Sequence, residues 1–455
     1  EVPARVFISS WCLVIPAVLV LVILVALSYW KRLAITRQEI LLVYLMISAT
    51  SGFAGYAMLH MLLPVVGTAA FYADDSNHYD EVLGWLPQFV KPSSRALVRP
   101  LFIGESSPDW LAWLPIAAFW LGFMLVAFCV MLSINLLVWR RWVRRERLSF
   151  PLAQIPLELV EKRRGWLTNR TLWIGASIPI ALQTLLAFNY WYPAVPAFLL
   201  KHEDFAPSLF VNLPWKAVGR FFLKGSPFFF GIAYLAPTDL SFSLWFFMAV
   251  RFVVLIGSNI LGLDAPFGAH GRAFPFIAES NVGSYAAFGL AALWLVRKDT
   301  LDLIRRARAK APLEEDDRMA LFGLWGLGFG LIGLILFGWV LGLPWWLTLV
   351  IFGLFLLFGV TLSRARAEAG PPWVFGSRTS TDVVMNTLGT ARFEGKSLVG
   401  LSSVMWFLAD IRSIPMPAQL EGLKLADASG LSRKKTAVAL IAATCVALIA
   451  GFAAT

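Results

Sequence analysis

Residues 111–147 read LAWLPIAAFWLGFMLVAFCVMLSINLLVWRRWVRRER, an apolar run that is followed at once by a cluster of arginines. The apolar part, 111–139, is longer than the roughly 20 apolar residues that a helix needs to cross a bilayer. Lysine and arginine accumulate in the cytoplasmic loops of membrane proteins. This stretch therefore predicts a transmembrane helix whose arginine-rich end, 140–147, lies on the cytoplasmic side.

The composition of the whole chain agrees with a membrane protein. Of its 455 residues, 58% are hydrophobic and only 15% are charged, whereas soluble domains carry about 25% charged residues. The net charge of +11 comes from basic residues at the ends of apolar runs, so we expect no nucleic-acid partner. The three cysteines lie inside apolar runs and the four histidines are scattered, so the sequence predicts neither a cofactor nor a metal site.

Similar apolar runs recur along the chain. They predict an all-α fold, a polytopic transmembrane helix bundle that forms one multi-pass domain over residues 1–455 in the cell (inner) membrane. Besides 111–139, we predict spans at about 7–30, 40–63, 172–192, 281–296, 320–341, 345–363 and 436–455. Because the first and last of these lie at the two ends of the chain, we expect a fragment or a chain that lacks terminal spans.

Charge and proline content predict three loops between the spans. The segment 65–110 has more acidic than basic residues, and the segment 193–225 is polar and contains prolines. We predict that both are external loops. The segment 297–318 begins with a basic stretch and is predicted to be a cytoplasmic loop.

Two apolar stretches are too irregular to be ordinary spans. Residues 226–260 are interrupted by prolines, a glycine and Asp239, and a single crossing there would place the basic residues 297–310 outside. Residues 398–420 have a short apolar centre followed by two prolines. Irregular backbone at membrane depth is tolerated only where it is buried in protein or lines a cavity. We therefore predict a re-entrant hairpin at each place.

Ionisable residues inside a membrane are costly and mark functional positions. Asp239 and Arg251 both lie in the interrupted stretch. One alternative is that each snorkels towards the headgroups or has a structural partner. The other is that Asp239 faces a cavity where its carboxylate carries a proton or binds a cationic group. Gln154 and Glu158 lie on a short, half-apolar stretch, which is either a surface amphipathic helix or a hairpin that dips into the membrane.

Glycines are concentrated in the predicted span at 320–341. Residues 328–333 match the pattern GxGxxG, but a dinucleotide site requires a strand before it, so we reject that function. Gly323, Gly326, Gly330 and Gly333 share one helix face. Small residues on one face predict close packing against another helix.

Three segments resemble the oligopeptide transporter (OPT) superfamily. Residues 145–151, RERLSFP, followed by Glu158, are similar to its E-R/K-L-x-F-P…E stretch. Residues 415–434, which include Gln419 and Gly430, resemble its Q-D-L-K-T-G…P-R-K element, with divergence at the acidic and Thr-Gly positions. Tyr234, Asp239 and 241–247 (SFSLWFF) look like the signature of a bacterial OPT-like branch. The resemblance implies a large helical carrier of peptides or metal chelates, built from inverted repeats with re-entrant hairpins.

The sequence therefore favours a secondary transporter of a small peptide-like or metal-chelate solute, with the proton as candidate coupling ion. The residues expected to bind the solute are Asp239, Glu158, Gln154, Gln419, Glu421 and Tyr234. The alternative is a non-transporting membrane subunit used for assembly or anchoring, with membrane proteins or a second copy as partners beside lipid. An enzyme is not expected, because the sequence has no evident nucleophile–base constellation.

Overall fold

The computed structural model describes residues 15–28, 35–54, 58–92, 94–104, 106–162, 165, 168–196, 203–223, 227–263, 274–370, 378–409 and 411–454. Within these ranges the chain is almost entirely helical. In chain order the α-helices are α1 (Ile15–Leu27), α2 (Arg37–Thr50), α3 (Leu59–Tyr72), α4 (Tyr79–Gly84), α5 (Arg95–Ile103), α6 (Trp110–Trp139), α7 (Pro151–Lys162), α8 (Arg170–Trp191), α9 (Ala206–Leu209), α10 (Pro227–Leu235), α11 (Thr238–Ile260), α12 (Ile277–Arg308), α13 (Glu315–Val340), α14 (Trp345–Ala369), α15 (Ser380–Leu388), α16 (Gly395–Leu408), α17 (Met416–Ser429) and α18 (Arg433–Ala454). Two-residue strands, β1 (Glu203–Asp204) and β2 (Phe222–Leu223), form an antiparallel pair.

Six of these helices are long and apolar enough to cross a membrane, namely α6, α8, α11, α13, α14 and α18. The all-α, multi-pass prediction is therefore confirmed. The run at 111–139 forms α6, which begins after Asp109 because that carboxylate accepts hydrogen bonds from the backbone N–H groups of Leu111 and Ala112 at 3.1 and 3.3 Å. Helix α6 continues into a π-helical turn, Arg140–Arg145.

Helix α6 is the centre of the bundle, and 67% of its most apolar stretch is buried inside the protein. Helix α13 packs along it in the opposite direction through the predicted glycine face. A Cβ atom added to Gly323 would lie 2.8 Å from the backbone oxygen of Ser133, and one added to Gly330 would overlap Val130. The prediction of close helix packing through this face is confirmed.

The predicted span at 40–63 is wrong in one respect, because the structure divides it into α2 and α3. Helix α2 starts with a capping box between Thr36 and Glu39 and ends at Thr50. A 3₁₀ turn, Ser51–Ala54, follows, and α3 begins only at Leu59. Serine and glycine are weaker helix formers than the apolar residues around them, which favours a break within this small-residue stretch.

The re-entrant hairpin predicted at 398–420 is also corrected. Helix α16 begins beside the turn between α13 and α14, where the Ser397 hydroxyl donates to the Gly342 carbonyl at 3.0 Å. Helix α17 ends near the arginine cluster at the other end of the bundle, where Arg144 contacts Asp427 at 3.3 Å. The two helices therefore traverse the bundle in one direction, with a break at 409–415 that contains a 3₁₀ turn.

The hairpin predicted at 226–260 is replaced by a short helix, α10, and a continuous 23-residue helix, α11. Of the residues taken as interruptions, Pro227 and Gly231 lie in α10, whereas Pro237 and Asp239 lie at the start of α11. Pro237 is its N-cap residue and Asp239 is in its first turn, where a carboxylate is favoured by the partial positive charge of the helix end. Residues 224–226 lie outside the described ranges.

Parts of the predicted loops are helical. The segment 65–110 contains the end of α3 together with α4 and α5, and 297–308 are the last turns of α12. The segment 193–225 contains β1, α9, a 3₁₀ turn at Trp215–Val218 and β2, and its other described residues are irregular. Of the predicted span 7–30, the structure describes 15–28, and the remaining residues lie outside the described ranges.

Candidate functional site

Two broken crossings lie side by side in the bundle. One is formed by α2 and α3 and the other by α16 and α17, and each of the four helices has 14 residues. Helix α2 packs against α17 and α3 packs against α16. Gln38 at the start of α2 donates to the carbonyl of Ser429 at the end of α17 at 3.0 Å, so the two crossings run in opposite directions.

Both breaks lie beside the middle of α6. The ring of Phe53, in the first break, is 5.8 Å from the ring of Phe128. The ring of Phe407, just before the second break, is 4.9 Å from the ring of Phe123. The described residues 51–53 of the first break and 413–415 of the second are buried, as irregular backbone at membrane depth requires.

An amide pair, Asn135 and Gln419, joins α6 to the first turn of α17. The Asn135 amide nitrogen donates to the Met416 carbonyl at 2.8 Å and to the Gln419 side-chain oxygen at 3.1 Å. The Gln419 amide nitrogen donates to the Phe128 carbonyl at 3.1 Å. Both side chains are fully buried. Hydrogen bonds therefore hold the start of α17 in place without help from solvent.

A buried ion pair lies next to the amide pair on α17. Arg366 of α14 donates from Nε and Nη2 to the two carboxylate oxygens of Glu421, at 2.7 and 2.9 Å. The side chains of Arg366 and Glu421 are 9% and 14% exposed. A bidentate pair in such surroundings is strong and directional, so it fixes α17 against α14 one turn beyond the break.

Several buried polar atoms around the second break have no hydrogen-bond partner among the described residues. They are the side-chain oxygens of Asn135, Ser363 and Ser413. Ser413 lies in the break itself, and Ser363 is one helical turn from Gly359, where an added Cβ would lie 3.1 Å from Met416. Buried polar groups are nearly always hydrogen-bonded in proteins. The Asn135 oxygen can therefore accept a hydrogen bond from water or a polar solute, and the two serine hydroxyls can accept or donate one.

An ion-pair belt connects the helix ends at the arginine-rich side of the bundle. Asp317, only 2% exposed, accepts from Arg140 at 2.5 Å and from Arg306 at 2.6 Å. Glu146 contacts Arg141 at 2.7 Å and Arg364 at 2.6 Å. The belt comprises Glu146, Asp299, Asp316, Asp317, Arg140, Arg141, Arg145, Arg306, Arg364 and Arg433. It joins α6, α12, α13, α14 and α18 at this end of the bundle.

The carboxylates of the belt have arginine partners, which leaves them poorly suited to hold a metal ion. Within the described ranges, no group of three or more His, Cys, Asp or Glu side chains is arranged as a metal site. The acidic side chains of this part of the chain thus contribute to ion pairs between helices.

A cavity of about 320 Å³ lies at the other end of α6. Its walls are the outer halves of the two broken crossings, α3 and α16, together with α4, Trp120 of α6 and Lys91. We call it the Lys91 cavity. The belt and the Lys91 cavity lie at opposite ends of the two broken crossings. The belt itself borders a second cavity, of about 500 Å³, lined by Arg140, Asp299 and Asp317.

The structure separates the six residues predicted to bind solute into two groups. Gln419 and Glu421 lie at the second break, in the amide pair and the ion pair. The other four are exposed: Gln154 and Glu158 on α7, Tyr234 on α10 and Asp239 on α11. Helix α7 packs against both α17 and α10, so the helices that carry the two groups are linked through α7.

Sequence reasoning missed Asn135, Arg366 and Lys91. Asn135 is a lone amide inside an apolar run, and that signal could have identified it, because polar residues within spans are costly. Arg366 lies at the end of a span, where a basic residue suggested only the side of the membrane. Lys91 lies in an irregular segment, and no sequence pattern indicates its burial.

Comparisons with known proteins identify a family. Neither the curated proteins nor the solved structures contain a match to this chain. The model of one family, described as a family of unknown function (DUF6785), matches residues 5–455. Because that match covers nearly the whole chain, the protein belongs to the DUF6785 family.

Proposed function

We propose that this protein is a secondary transporter whose solute binds at the two breaks beside α6. One observation carries the proposal: two broken crossings of opposite direction lie side by side, with buried polar groups at the second break. Secondary transporters commonly bind solute near the bilayer midplane, between discontinuous helices of inverted repeats. The opposite directions of α2–α3 and α16–α17 are what an inverted repeat would produce, in agreement with the OPT-like resemblance.

The two ends of the bundle support an alternating-access mechanism. The ion-pair belt ties five helices together at the end that the arginine cluster assigns to the cytoplasm. The Lys91 cavity lies between α3 and α16 at the opposite end. In the proposed mechanism, the belt is the cytoplasmic gate and the Lys91 cavity is the outer entrance. Release of the solute inside would require the belt to open.

The OPT-like resemblance suggests a peptide-like or metal-chelate solute, and the second break has groups suited to its polar parts. The side-chain oxygens of Asn135 and Ser413 are available for hydrogen bonds. The Arg366–Glu421 pair offers both charges to a solute that carries an amine and a carboxylate. A solute whose amine paired with Glu421 and whose carboxylate paired with Arg366 would break the ion pair between the two residues. Helix α17 would then be free to move relative to α14, so solute binding would be coupled to helix movement.

Uptake into liposomes tests the proposal. The full chain is reconstituted and supplied with di- and tripeptides and metal chelates, with and without an imposed pH gradient. Gln419→Met removes the amide that contacts Asn135 and Phe128. Gln183→Met, on the exposed surface of α8, is the matched control. We expect saturable uptake that falls at least tenfold in Gln419→Met and is unchanged in Gln183→Met.

Two results would argue against transport. One is the absence of uptake of every solute by folded, reconstituted protein. The other is equal uptake by the Gln419→Met variant and the unmodified chain, because the break would then have no part in solute movement.

A second candidate function, a non-transporting subunit of a membrane complex, is favoured by α8 and α11. In each of these two helices, none of the residues in the most apolar stretch is buried inside the protein. Helix α11 also carries Arg251, which is exposed and has no ion-pair partner among the described residues. An arginine facing lipid near the centre of a span costs about 2.5–3.5 kcal/mol, and a protein partner covering this face would remove that cost.

The mass of the protein in lipid nanodiscs tests this second function. A complex that dissociates in the Arg251→Leu variant would support a partner at α11. A monomer that is stabilised by Arg251→Leu would show that the face contacts lipid, and it would leave the transporter proposal as the better account.

A further inference from the structure

The Lys91 cavity has the size of a small-molecule site. Its volume of about 320 Å³ lies at the lower end of the range of roughly 300–1,000 Å³ that ligand pockets occupy. Trp120 lines it, 20 residues before Arg140 on the same helix system, which corresponds to roughly 30 Å along the axis at 1.5 Å per residue. The cavity is therefore separate from the ion-pair belt and lies towards the outer end of the bundle.

A buried lysine supplies the only positive charge among the residues that line this cavity. Lys91 is 9% exposed, and no carboxylate of the described residues forms an ion pair with it. Its backbone is fixed, because the indole N–H of Trp120 donates to the Val90 carbonyl at 2.9 Å. Burial lowers the pKa of Lys91, and the nearby charge of Asp80 partly opposes that effect. An anion in the cavity would therefore pair with an ammonium that has no other ion-pair partner among the described residues.

The hydroxyl groups in the wall leave few hydrogen-bond donors for a ligand. Thr68, Ser402 and Ser403 each donate their proton to a backbone carbonyl of their own helix, at 2.5 to 2.9 Å. The remaining side-chain donors of the cavity are the Lys91 ammonium and the Tyr79 hydroxyl, besides the Trp120 indole that Val90 already occupies. Most of the rest of the lining is aliphatic. One positive charge in an apolar wall suits an anion with a single charge and an apolar body.

We propose that the Lys91 cavity binds a small monocarboxylate. The carboxylate pairs with the Lys91 ammonium and accepts a hydrogen bond from Tyr79, while its apolar group packs against Val66, Leu86 and Val399. As an access point for a transported solute this site rests on the proposed function, whereas binding itself is measured without transport. A phosphate would be a poorer ligand, because its higher charge would meet only one cation and a largely apolar wall.

Calorimetry on the full chain in lipid nanodiscs tests the proposal with benzoate as the probe. Neutral benzamide has a similar shape and lacks the charge, and inorganic phosphate has the charge and lacks the apolar body. Lys91→Met removes the ammonium and keeps most of the side-chain volume. Lys216→Met, at an exposed lysine that does not line the cavity, is the matched control. We expect benzoate affinity to fall at least tenfold in Lys91→Met and to stay unchanged in Lys216→Met.

A second variant keeps the test decisive if Lys91→Met does not fold. Ser402→Phe narrows the cavity and leaves Lys91 in place, and it should also lose benzoate. The proposal is overturned if benzoate binds equally well to both cavity variants and the unmodified chain, or if benzamide or phosphate binds as tightly as benzoate. It is also overturned if the folded, unmodified chain does not bind benzoate.

The uptake assay separates this proposal from the proposed function. If the chain binds benzoate through Lys91 but transports no solute, the carboxylate site is supported and the transporter proposal is refuted. If the chain takes up a panel solute but does not bind benzoate, the transporter proposal is supported and the carboxylate site is refuted.

Discussion

The Arg366–Glu421 pair gives a direct test of how the second break is held. We expect Arg366→Met and Glu421→Leu each to lower the free energy of unfolding by about 3–5 kcal/mol, the usual cost of removing one partner of a buried ion pair. The reason is that each variant leaves a charge in surroundings where the two side chains are only 9% and 14% exposed. The double variant, which removes both charges, should be destabilised by less than the sum of the two single variants.

The size of this non-additivity is the quantity to measure. Two charge-assisted hydrogen bonds at 2.7 and 2.9 Å predict a coupling energy of about 2–3 kcal/mol, the upper part of the range for residues in contact. The assay is equilibrium unfolding of the full chain in mixed detergent micelles, followed by the change in helical circular dichroism. Arg366 has contacts beyond Glu421, so the coupling energy is more informative than either single value.

An exposed pair in the same chain is the control. Arg305 and Asp302 lie 3.5 Å apart, with side chains that are 78% and 62% exposed. Asp302→Asn should change the unfolding free energy by less than about 0.5 kcal/mol, because solvent screens such pairs. Additive effects of Arg366→Met and Glu421→Leu, or single effects as small as that of Asp302→Asn, would refute the view that a buried pair holds α17 at the break.

Three further predictions concern helix packing, the belt and the Lys91 cavity. Gly323→Ala should lower the thermal unfolding midpoint in detergent, because its Cβ would lie too close to the Ser133 backbone oxygen. The control Gly328→Ala has no atom within 4 Å of the added Cβ and should leave the midpoint unchanged or raise it. Equal shifts in the two variants would contradict the close-packing argument. Asp317→Asn should lower the free energy of unfolding by about 1–3 kcal/mol. It should also increase the labelling of cysteines introduced at the arginine-rich end. Unchanged labelling would mean that the belt does not close that end. Burial lowers the pKa of Lys91, so benzoate binding should persist while the ammonium is charged and weaken as the pH rises through that lowered pKa. Titration calorimetry should show this loss in the unmodified chain. The Lys91→Arg variant should not show it, because arginine stays protonated.

Much of the architecture could be predicted from local sequence alone. The run 111–139 became α6, and the glycines of 323–333 packed closely against another helix as predicted, because span length and helix-face composition are properties of neighbouring residues. One error occurred where a helix breaks inside an apolar region. In residues 40–63, only a short stretch of small residues marks the break between α2 and α3. The apolar residues on both sides of it predict a continuous span.

What the sequence determined by itself is that this chain crosses a membrane many times as helices, with its arginine-rich end identified by charge. Only the tertiary structure decided which polar residues meet. Asn135 and Gln419 are 284 positions apart and Arg366 and Glu421 are 55 apart, and nothing in the neighbourhood of either residue specifies its partner. The burial of Lys91 likewise depends on α3, α6 and α16, which come from distant parts of the chain. Hydrophobicity is local along the sequence, whereas the enclosure of a charge or an amide depends on which helices pack around it.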